Sequence, residues 1–423
     1  MKKIIKQGKV FDNISKKGEV CDILIEDGKI IEINNCIEIS CNEEINAQGK
    51  IVVPGLIDMH THLREPGRED EETIESGTCA AAKGGFTTVV CMANTMPPID
   101  NQSIVKYILN QARLKGCVNV FIVGAITKGL KGEELAEIEE LVRSGVVGIS
   151  DDGYSIANTK LMYHAMKYVK MFDIPIISHC EDRTLSGSGV MNEGYFSSIL
   201  GLPGISRMAE EIIIARDIML ARSTKAKLHI THISTKEGVD LIRQAKEKGI
   251  NVTCDTMPHY FSLTDENVLS FDTNTKVNPP LRTFEDVEAI KQGLADGTID
   301  CIATDHAPHI KAEKELFFED APFGMIGLET ALPLVITNLV DKNVLSLEDA
   351  IKKLTLNPSS ILNLNKGKLS KGMDADITII DMNQEITIDE AFFKSKSKNS
   401  PFIGFKLKGK VMKTLVKGNV INI

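Results

Sequence analysis

Six residues that could hold a metal ion lie where patterns typical of β-strands end. They occur in the segments LIDMHTHLRE, VGISDDG, PIISHCED, KLHITHIST and DCIATDHAPH, and they are His60, His62, Asp152, His179, His232 and Asp305. Imidazole and carboxylate groups hold zinc-like divalent ions, and an ion held in this way can activate a water molecule. The pattern therefore predicts a metal-dependent hydrolase.

The pair His60 and His62 is the most local of these signals. The two residues are two positions apart on a strand pattern, so their side chains leave on the same face and can share a metal. Alone, a His-x-His pair is equally consistent with chance packing. Ligand-type residues recur, however, after predicted strands 4, 5, 6 and 8, at the carboxyl ends where barrel enzymes build their sites. In the fourth segment Asp151 competes with Asp152, and strand alternation allows only one of them to face the site.

The middle of the chain alternates strand patterns with amphipathic helix patterns. Strands are predicted at residues 51–60, 87–94, 118–127, 145–152, 174–180, 226–234, 250–257 and 300–307. Helices are predicted near residues 70–83, 101–115, 133–143, 158–171, 205–221, 236–248, 283–294 and 327–340. Eight such units predict an α/β fold of the (β/α)8 TIM-barrel type. A doubly wound open sheet fits less well, because no Gly-rich nucleotide fingerprint follows the first strand.

Both ends of the chain have a different sequence pattern, in which short strand-like segments are separated by turns. Neither end could bury a core alone, so we expect the two to pair. The predicted domains are a small β-sandwich formed by residues 1–53 together with 366–423, and the barrel at 54–365.

Composition excludes several classes of protein. The chain has 49 basic and 58 acidic residues, a net charge of −9, and no basic cluster that would indicate a nucleic-acid partner. It has no apolar run of membrane-spanning length and no signal-peptide pattern, which predicts a cytoplasmic protein without a membrane partner. Its nine cysteines include no CxxC pair, which argues against a disulfide framework and a thiolate zinc site.

A wider set of motifs resembles one known family. The segments PGLIDMHTHLREPG, MANTMPP, GISDDG, SHCED, THIST, VNPPLR, ATDHAPH and APFGMIGLET are similar to the motif set of the dihydroorotases. Their order matches the monofunctional bacterial class with a bridging aspartate, in the amidohydrolase superfamily. The resemblance runs from about residue 50 to the end of the chain.

The resemblance implies a reaction and a metal centre. The reaction is the reversible cyclisation of N-carbamoyl-L-aspartate to (S)-dihydroorotate plus water in pyrimidine synthesis, with two zinc ions per subunit. His60, His62 and Asp305 would hold the first zinc, and His179 and His232 the second. Asp152 would bridge the two, where many relatives use a carboxylated lysine. Asp305 would also be the catalytic general acid and base.

An acidic protein that binds an anionic substrate must neutralise it locally. Arg64 lies two residues beyond His62, on the same face if strand geometry persists, and a guanidinium suits bidentate carboxylate binding. Asn94 taken alone is typical of a turn. The resemblance implies more specific roles: the substrate contacts are His62, Arg64, Asn94, Asn278, His309, Phe323 and Gly324. Arg64, Asn94 and His309 would hold the carboxylate, while Asn278 and the backbone at Phe323–Gly324 would contact the ring.

Two other interpretations remain open from the sequence. One is another cyclic amidase, such as a hydantoinase or allantoinase, although such relatives usually carry the bridging lysine. The other is a non-catalytic dihydroorotase-like subunit, although such subunits lose metal ligands that are all present here. A homodimer and an association with an aspartate transcarbamoylase are further expectations. Long segments after predicted strands 5 and 8 are candidates to close over the substrate.

Overall fold

The structure is a computed structural model that describes residues 1–422. Its strands are β1 (Lys2–Phe11), β2 (Lys17–Glu26), β3 (Lys29–Asn34), β4 (Glu43–Asn46), β5 (Ile51–Pro54), β6 (Leu56–Thr61), β7 (Phe86–Cys91), β8 (Asn119–Gly124), β9 (Gly148–Ile149), β10 (Ile176–Ser178), β11 (Met191–Asn192), β12 (Gly204–Ile205), β13 (Leu228–Ile230), β14 (Val252–Thr256), β15 (Cys301–Ile302), β16 (Ile377–Thr387), β17 (Lys406–Val416) and β18 (Asn419–Val420).

The α-helices are α1 (Ile74–Lys83), α2 (Gln102–Lys115), α3 (Ile138–Arg143), α4 (Thr159–Val169), α5 (Arg183–Ser186), α6 (Tyr195–Leu200), α7 (Met208–Thr224), α8 (Lys236–Glu247), α9 (Phe284–Ala295), α10 (Lys311–Lys314), α11 (Ala331–Val335), α12 (Leu347–Leu354) and α13 (Leu356–Ile361). A π-helical turn at Ile336–Val340 continues α11. Within residues 1–422, every helix is too short or too polar to cross a membrane.

The barrel consists of parallel strands in the order β6, β7, β8, β9, β10, β13, β14 and β15. A parallel bridge between Thr61 and His306 joins the end of β6 to the segment after β15, and the His62 N–H donates to the His306 carbonyl at 2.9 Å. These contacts close the barrel between its first and last strands. The predicted (β/α)8 fold is confirmed.

Burial on both faces explains the apolar composition of the barrel strands. All six residues of β7 are buried, as are all six of β6, which is expected where helices cover one side of a parallel sheet and other strands the other. Phe86, at the start of β7, pairs with Leu56 at the start of β6, and both side chains are fully buried. Such packing gives the strand ends little freedom to shift.

Threonine caps set where several barrel helices begin. The Thr73 hydroxyl accepts the Ser76 N–H at the start of α1, and Thr235 and Thr283 cap α8 and α9 in the same way. The first helix pattern was expected from residue 70, but the Thr73 cap delays the helix to Ile74. The third helix was expected over residues 133–143, and only its second half, α3, is helical.

The two ends of the chain form one mixed sheet. Strand β16 pairs with β17 on one side and with β5 on the other, and β5 pairs with β1, so both termini contribute to a continuous ladder. Its strands surround one apolar core, to which Ile5, Ile23 and Ile377 belong. The predicted pairing of the termini is present. The division at residues 53 and 366 stays a prediction, and its last residue, 423, lies outside the described residues.

The long segment after β10 has structure that the sequence did not predict. It contains α5 and α6 and the two paired strands β11 and β12. Arg282 anchors it from beneath, because its guanidinium donates to Asn192 Oδ1 at 2.9 Å and to the Ile205 carbonyl at 3.2 Å. The same guanidinium lies 3.2 Å from Glu210 of α7, and both of these side chains are buried.

Gly55 is the joint between the terminal sheet and the barrel, and it generates a prediction. An ideal Cβ at Gly55 would lie 2.0 Å from Thr87 Oγ1, a buried atom of β7. Gly55→Ala should therefore destabilise the protein by about 1–3 kcal/mol, the usual cost of overpacking a core. Urea denaturation measures this. Gly194→Ala is the control, since its Cβ would meet only an ordinary contact at 3.7 Å. Equal midpoints for the two variants would contradict the prediction.

Candidate active site

The six predicted metal ligands lie together at the carboxyl ends of the barrel strands. His60 is the second-to-last residue of β6, His62 directly follows that strand, and His179 directly follows β10. Asp152, His232 and Asp305 lie two or three residues beyond β9, β13 and β15. The six form two groups that could each hold a metal ion: His60, His62 and Asp305 in one, and Asp152, His179 and His232 in the other.

The first group is compact. The His62 Nε2 atom lies 2.9 Å from Asp305 Oδ1, and the His60 Nε2 atom lies 3.4 Å from the same oxygen. All three donor atoms therefore point at one place. His60 and His62 are buried, and the Asp305 side chain is partly open to the cavity above.

The second group is equally compact. The His179 Nδ1 atom lies 2.8 Å from His232 Nε2, and the two nitrogens lie 3.6 and 3.4 Å from Asp152 Oδ1. His179 therefore presents its Nδ1 atom to the group, whereas His232 presents Nε2. Two imidazoles whose nitrogens face each other at this distance can share a proton or a cation.

Asp152 spans the two groups with its two oxygens. Its Oδ2 atom lies 3.2 Å from His60 Nε2 and 3.6 Å from His62 Nε2, while Oδ1 faces His179 and His232. Asp152 Oδ1 is buried and has no hydrogen-bond partner within residues 1–422. A buried anionic oxygen without a partner is costly, and a cation beside it would remove that cost. The donor set, four imidazoles and two carboxylates, suits a zinc-like ion, so these residues fit a metal.

Asp151, the competing candidate, points away from this centre. Its Oδ1 atom accepts the N–H groups of Ile126 and Thr127 at 2.8 and 3.0 Å, and Oδ2 accepts the Thr127 hydroxyl. The expected alternation at this position is therefore present, with Asp152 at the metal groups and Asp151 in the loop behind them.

Charges within the centre favour a bound cation. Burial lowers the pKa of His60, but Asp152 and Asp305 outweigh it and raise the pKa to about 10. Burial likewise lowers the pKa of His179, and Asp152 and Glu181 raise it to about 9. For Asp152 burial raises the pKa, yet His60 and the other imidazoles hold it well below its usual value. The carboxylates that attract protons here would attract a metal ion, which would displace those protons on binding.

Each of three ligand imidazoles has a second partner behind it. The His60 Nδ1 atom lies 2.7 Å from Thr231 Oγ1, whose hydroxyl donates to Asp255 at 3.1 Å. His179 Nε2 lies 3.4 Å from Glu181 Oε2. Such outer partners fix the ring orientation and tautomer of a metal-binding histidine. Sequence reasoning missed Thr231, Asp255 and Glu181, because nothing in the strand pattern distinguishes them from packing residues.

Asn94 is the second partner of His62. Its Oδ1 atom lies 2.8 Å from His62 Nδ1, so the ring N–H donates to the amide oxygen. This contact orients the Asn94 amide and leaves its NH2 group for a ligand. The sequence alone favoured a turn residue here, and the structure places the side chain at the metal groups.

Three residues of the centre have a left-handed backbone that side chains other than glycine rarely adopt. They are Arg64, His232 and Asp305, with φ of 63°, 43° and 50°. Such conformations cost about 1–3 kcal/mol each and persist where the surroundings determine them. The barrel packing therefore imposes the local geometry that aims these side chains.

A cavity of about 420 Å³ opens above the two groups. It is lined by His62, Asp152, His179, His232 and Asp305 and by every predicted substrate-contacting residue: Arg64, Asn94, Asn278, His309, Phe323 and Gly324. His60 does not line it and lies buried beneath its floor. The cavity also includes Glu181 and Arg183, which the sequence did not indicate.

Arg64 reaches this cavity by a different route from the one expected. The strand ends at Thr61, and Arg64 follows in a turn with positive φ, so strand alternation does not place it. Its Nε atom lies 2.9 Å from Glu71 Oε2 and donates to the Pro308 carbonyl at 3.1 Å. His309 Nδ1 lies 2.8 Å from Glu71 Oε1, so one buried carboxylate holds two of the three predicted carboxylate-binding residues, Arg64 and His309.

The remaining histidines lie outside the two groups. Strand alternation turns His229 away from the face that His232 uses, which predicts a packing or hydrogen-bonded role. His229 is in fact buried between Thr253 and Asp255, with ring nitrogens 2.8 and 3.0 Å from their oxygens. His164 falls within a helix pattern, which predicts the same role, but its side chain lies exposed on α4. His259 is buried in the turn after β14 and its Nε2 atom has no partner within residues 1–422.

Known proteins resemble this chain along its whole length. A family model described as Dihydro-orotase-like matches residues 49–238. A protein named Dihydroorotase from Acetivibrio thermocellus is 56% identical over 99% of this chain and 98% of its own length. A protein of the same name from Ruminiclostridium cellulolyticum is 54% identical over 100% of this chain and 98% of its own length. This chain belongs to the dihydroorotase family.

The family's architecture extends to more distant relatives. The solved structure of L-hydantoinase (dihydropyrimidinase) from Arthrobacter aurescens superimposes with a TM-score of 0.90 at 28% identity. The superposition covers 99% of this chain and 95% of that one, so it includes the terminal sheet as well as the barrel. The dihydroorotase-family resemblance found in the sequence motifs is confirmed.

The position of Asp152 in this dihydroorotase-family site generates a prediction. Replacing an outer partner of a metal ligand costs about 10–100-fold in metal affinity, so Asp152→Asn, which changes a carboxylate shared by both groups, should cost at least about 100-fold. Metal per chain after gel filtration, measured by plasma mass spectrometry, and zinc competition with a fluorescent chelator test this. Asp151→Asn is the matched control and should keep its metal. Loss of metal from the Asp151 variant alone would overturn the assignment.

Proposed function

We propose that this chain is a metal-dependent dihydroorotase. It would interconvert N-carbamoyl-L-aspartate and (S)-dihydroorotate plus water, as a step of de novo pyrimidine synthesis. The observation that carries the proposal is one cavity in which Arg64, Asn94 and His309 lie beside two groups of residues that could each hold a metal ion. A cyclic amide with a carboxylate substituent needs both the metal ions and the carboxylate-binding residues at once.

We assign two zinc ions to the two groups. His60, His62 and Asp305 would hold the first ion, His179 and His232 the second, and Asp152 both. When bound, zinc lowers the pKa of water and polarises a carbonyl group, which supplies a nucleophile and an electrophile near neutral pH. The chain's part is to supply the ligands in the right protonation state and to position the substrate.

Asp305 is the residue that would move protons. Burial raises its pKa, but His60 and His62 hold the pKa below its ordinary value, so the carboxylate is ionised and carries no proton of its own. In ring opening it would take the proton of the attacking water and return it to the leaving nitrogen. In ring closure the same carboxylate would remove a proton from the ureido nitrogen as that nitrogen attacks the side-chain carboxyl group of carbamoyl aspartate. It would return this proton to the hydroxide that leaves the carboxyl group, which departs as water.

Other residues that line the cavity would bind the substrate. Arg64 would pair with the carboxylate through its terminal nitrogens, since its Nε atom is occupied by Glu71 and Pro308. Asn94 would donate its NH2 group, which His62 leaves free. Asn278, whose Nδ2 atom lies 3.2 Å from Glu181 Oε2, and the backbone at Phe323–Gly324 would contact the ring.

Three expectations from the sequence concern the assembly and the location of the protein. A homodimer, an association with an aspartate transcarbamoylase and a cytoplasmic location stay predictions. They do not enter the chemistry proposed here.

Hydrolysis of dihydroorotate by the purified chain, followed by ultraviolet absorbance, tests the proposed activity and its metal requirement. We expect turnover with zinc present, loss of turnover after dialysis against a chelator, and recovery on adding zinc back, since the nucleophile depends on the metal. Magnesium added at the same concentration is the control. Full activity in metal-free protein would refute the mechanism, and no activity in the metal-replete protein would refute the function.

The role of Arg64 generates a second prediction. Arg64→Met should keep its metal but lose about 10- to 100-fold in kcat/KM for dihydroorotate, because a hydrogen bond to a charged group contributes about 1.5–3 kcal/mol. Activity on dihydrouracil, which lacks the carboxylate, should change far less. Arg183→Met is the matched control, since Arg183 lines the same cavity but has no proposed role. Wild-type protein that hydrolyses dihydrouracil or hydantoin as well as dihydroorotate would favour a general cyclic amidase.

A further inference from the structure

Two buried lysines hold the segment that carries Phe323 and Gly324. Lys314 is the last residue of α10, and Lys276 lies two residues before Asn278. Lys314 is 8% exposed and Lys276 is 2% exposed, and such deep burial is unusual for lysine. Neither lines the cavity itself, and the mechanism above does not use them.

Lys314 binds the segment on both sides of Phe323. Its Nζ atom donates to the Pro322 carbonyl at 2.9 Å and to the Gly324 carbonyl at 3.0 Å. A single ammonium group thus binds the carbonyls of the two residues on either side of Phe323. The backbone between them cannot shift without loss of at least one of these charge-assisted hydrogen bonds.

Lys276 fixes the same segment from its other end. Its Nζ atom donates to the carbonyls of Phe318 and Glu319 at 2.7 and 2.9 Å, and it lies 4.7 Å from the centre of the Phe323 ring. The Lys276 carbonyl in turn accepts the Gly324 N–H at 2.8 Å. Gly324 is therefore held at its N–H by Lys276 and at its carbonyl by Lys314.

The two ammonium groups have backbone carbonyls, and no carboxylate, as their hydrogen-bond acceptors within residues 1–422. Burial lowers the pKa of Lys314 to about 7 and that of Lys276 to about 8. A buried charge without an ion partner is costly, and simple packing would be served better by an apolar side chain of the same length. The lysines hold four carbonyl groups in a fixed geometry, which an apolar side chain could not do, and this explains why buried charges are present here.

That geometry matters because the segment contacts the substrate-binding groups. The Phe323 carbonyl lies 2.9 Å from His309 Nε2, and an ideal Cβ at Gly324 would lie only 3.1 Å from the same nitrogen. Gly324 also has a φ of 133°, which glycine adopts without strain. A displaced segment would therefore alter both its own ring contacts and the position of His309.

We propose that Lys314 and Lys276 are positioning residues, which hold the Phe323–Gly324 backbone in the place where it binds the substrate ring and supports His309. The proposal rests on the proposed function, since it takes this backbone as a substrate contact. It assigns the lysines a role in substrate affinity, transmitted through four carbonyl groups, and no role in the chemical step.

The test compares Lys314→Met with Lys353→Met in the zinc-loaded full chain. Lys353 is a matched control, because it is also buried and its ammonium donates to one backbone carbonyl, that of Ile299, beside the amino end of β15 and away from the cavity. Lys314→Met should raise KM for dihydroorotate about 10-fold or more with a much smaller change in kcat, as loss of charged hydrogen bonds predicts. Lys353→Met should leave KM within about twofold. Lys314→Arg, which keeps the charge and the donors, should recover part of the loss.

Hydrogen exchange of residues 318–324 gives a readout that does not depend on activity. Exchange there should be faster in Lys314→Met than in wild type and unchanged in Lys353→Met. If Lys314→Met does not fold, Lys276→Met is measured in the same way, with the same expected result. A folded Lys314 variant with wild-type KM and wild-type exchange would overturn the proposal. An inactive wild-type protein would instead refute the proposed function, and the exchange result would still decide whether the lysines hold the segment.

Discussion

The active site depends on one constraint: parallel strands that close into a barrel must all end at the same rim. Six ligand residues that are far apart in the sequence meet there because their strands are neighbours in the sheet. The rim is buried, so the carboxylates and imidazoles lie in a medium that penalises charge without a partner. Asp152, with one oxygen in each group, is the residue through which the two halves of the site are coupled.

Polar partners around the site offset this cost of burying charged groups. Thr231 and Asp255 support His60, Asn94 supports His62, and Glu181 supports His179. Glu71 likewise joins Arg64 to His309. An acidic protein thereby presents local cations and amide donors to an anion, although its overall charge would repel one.

The sequence predicted what depends on residue type and periodicity. His60 and Asp305 stand out because ligand-type residues are uncommon at the ends of buried strands, and the barrel follows from eight repeats of one pattern. The route of Arg64 was not predictable, because a left-handed turn after β6 replaces the strand geometry and leaves no pattern. Lys314 was missed for a related reason: lysine in a polar segment indicates solvent exposure, and only tertiary packing reveals its burial.

The structure of the long segment after β10 could not be predicted from the sequence either. Its short helices and strands have too few residues for a periodic signal, and they are ordered by contacts with Arg282, which is distant in the sequence. The start of α1 was likewise predicted too early, at residue 70, because a periodic pattern does not register a local cap such as Thr73.

The seam of the barrel has a consequence for how the protein is made. His179 and His232 are 53 residues apart in the sequence, whereas His62 and Asp305 are 243 apart and meet only where the last strand closes on the first. During synthesis the second ligand group can therefore assemble before Asp305, the carboxylate of the first group, has been added to the chain. Closing so long a stretch of chain is the slow, entropically costly part of folding. The same event that seals the barrel also completes the first ligand group, so a nascent chain becomes competent to bind its full set of ions only when its core is closed.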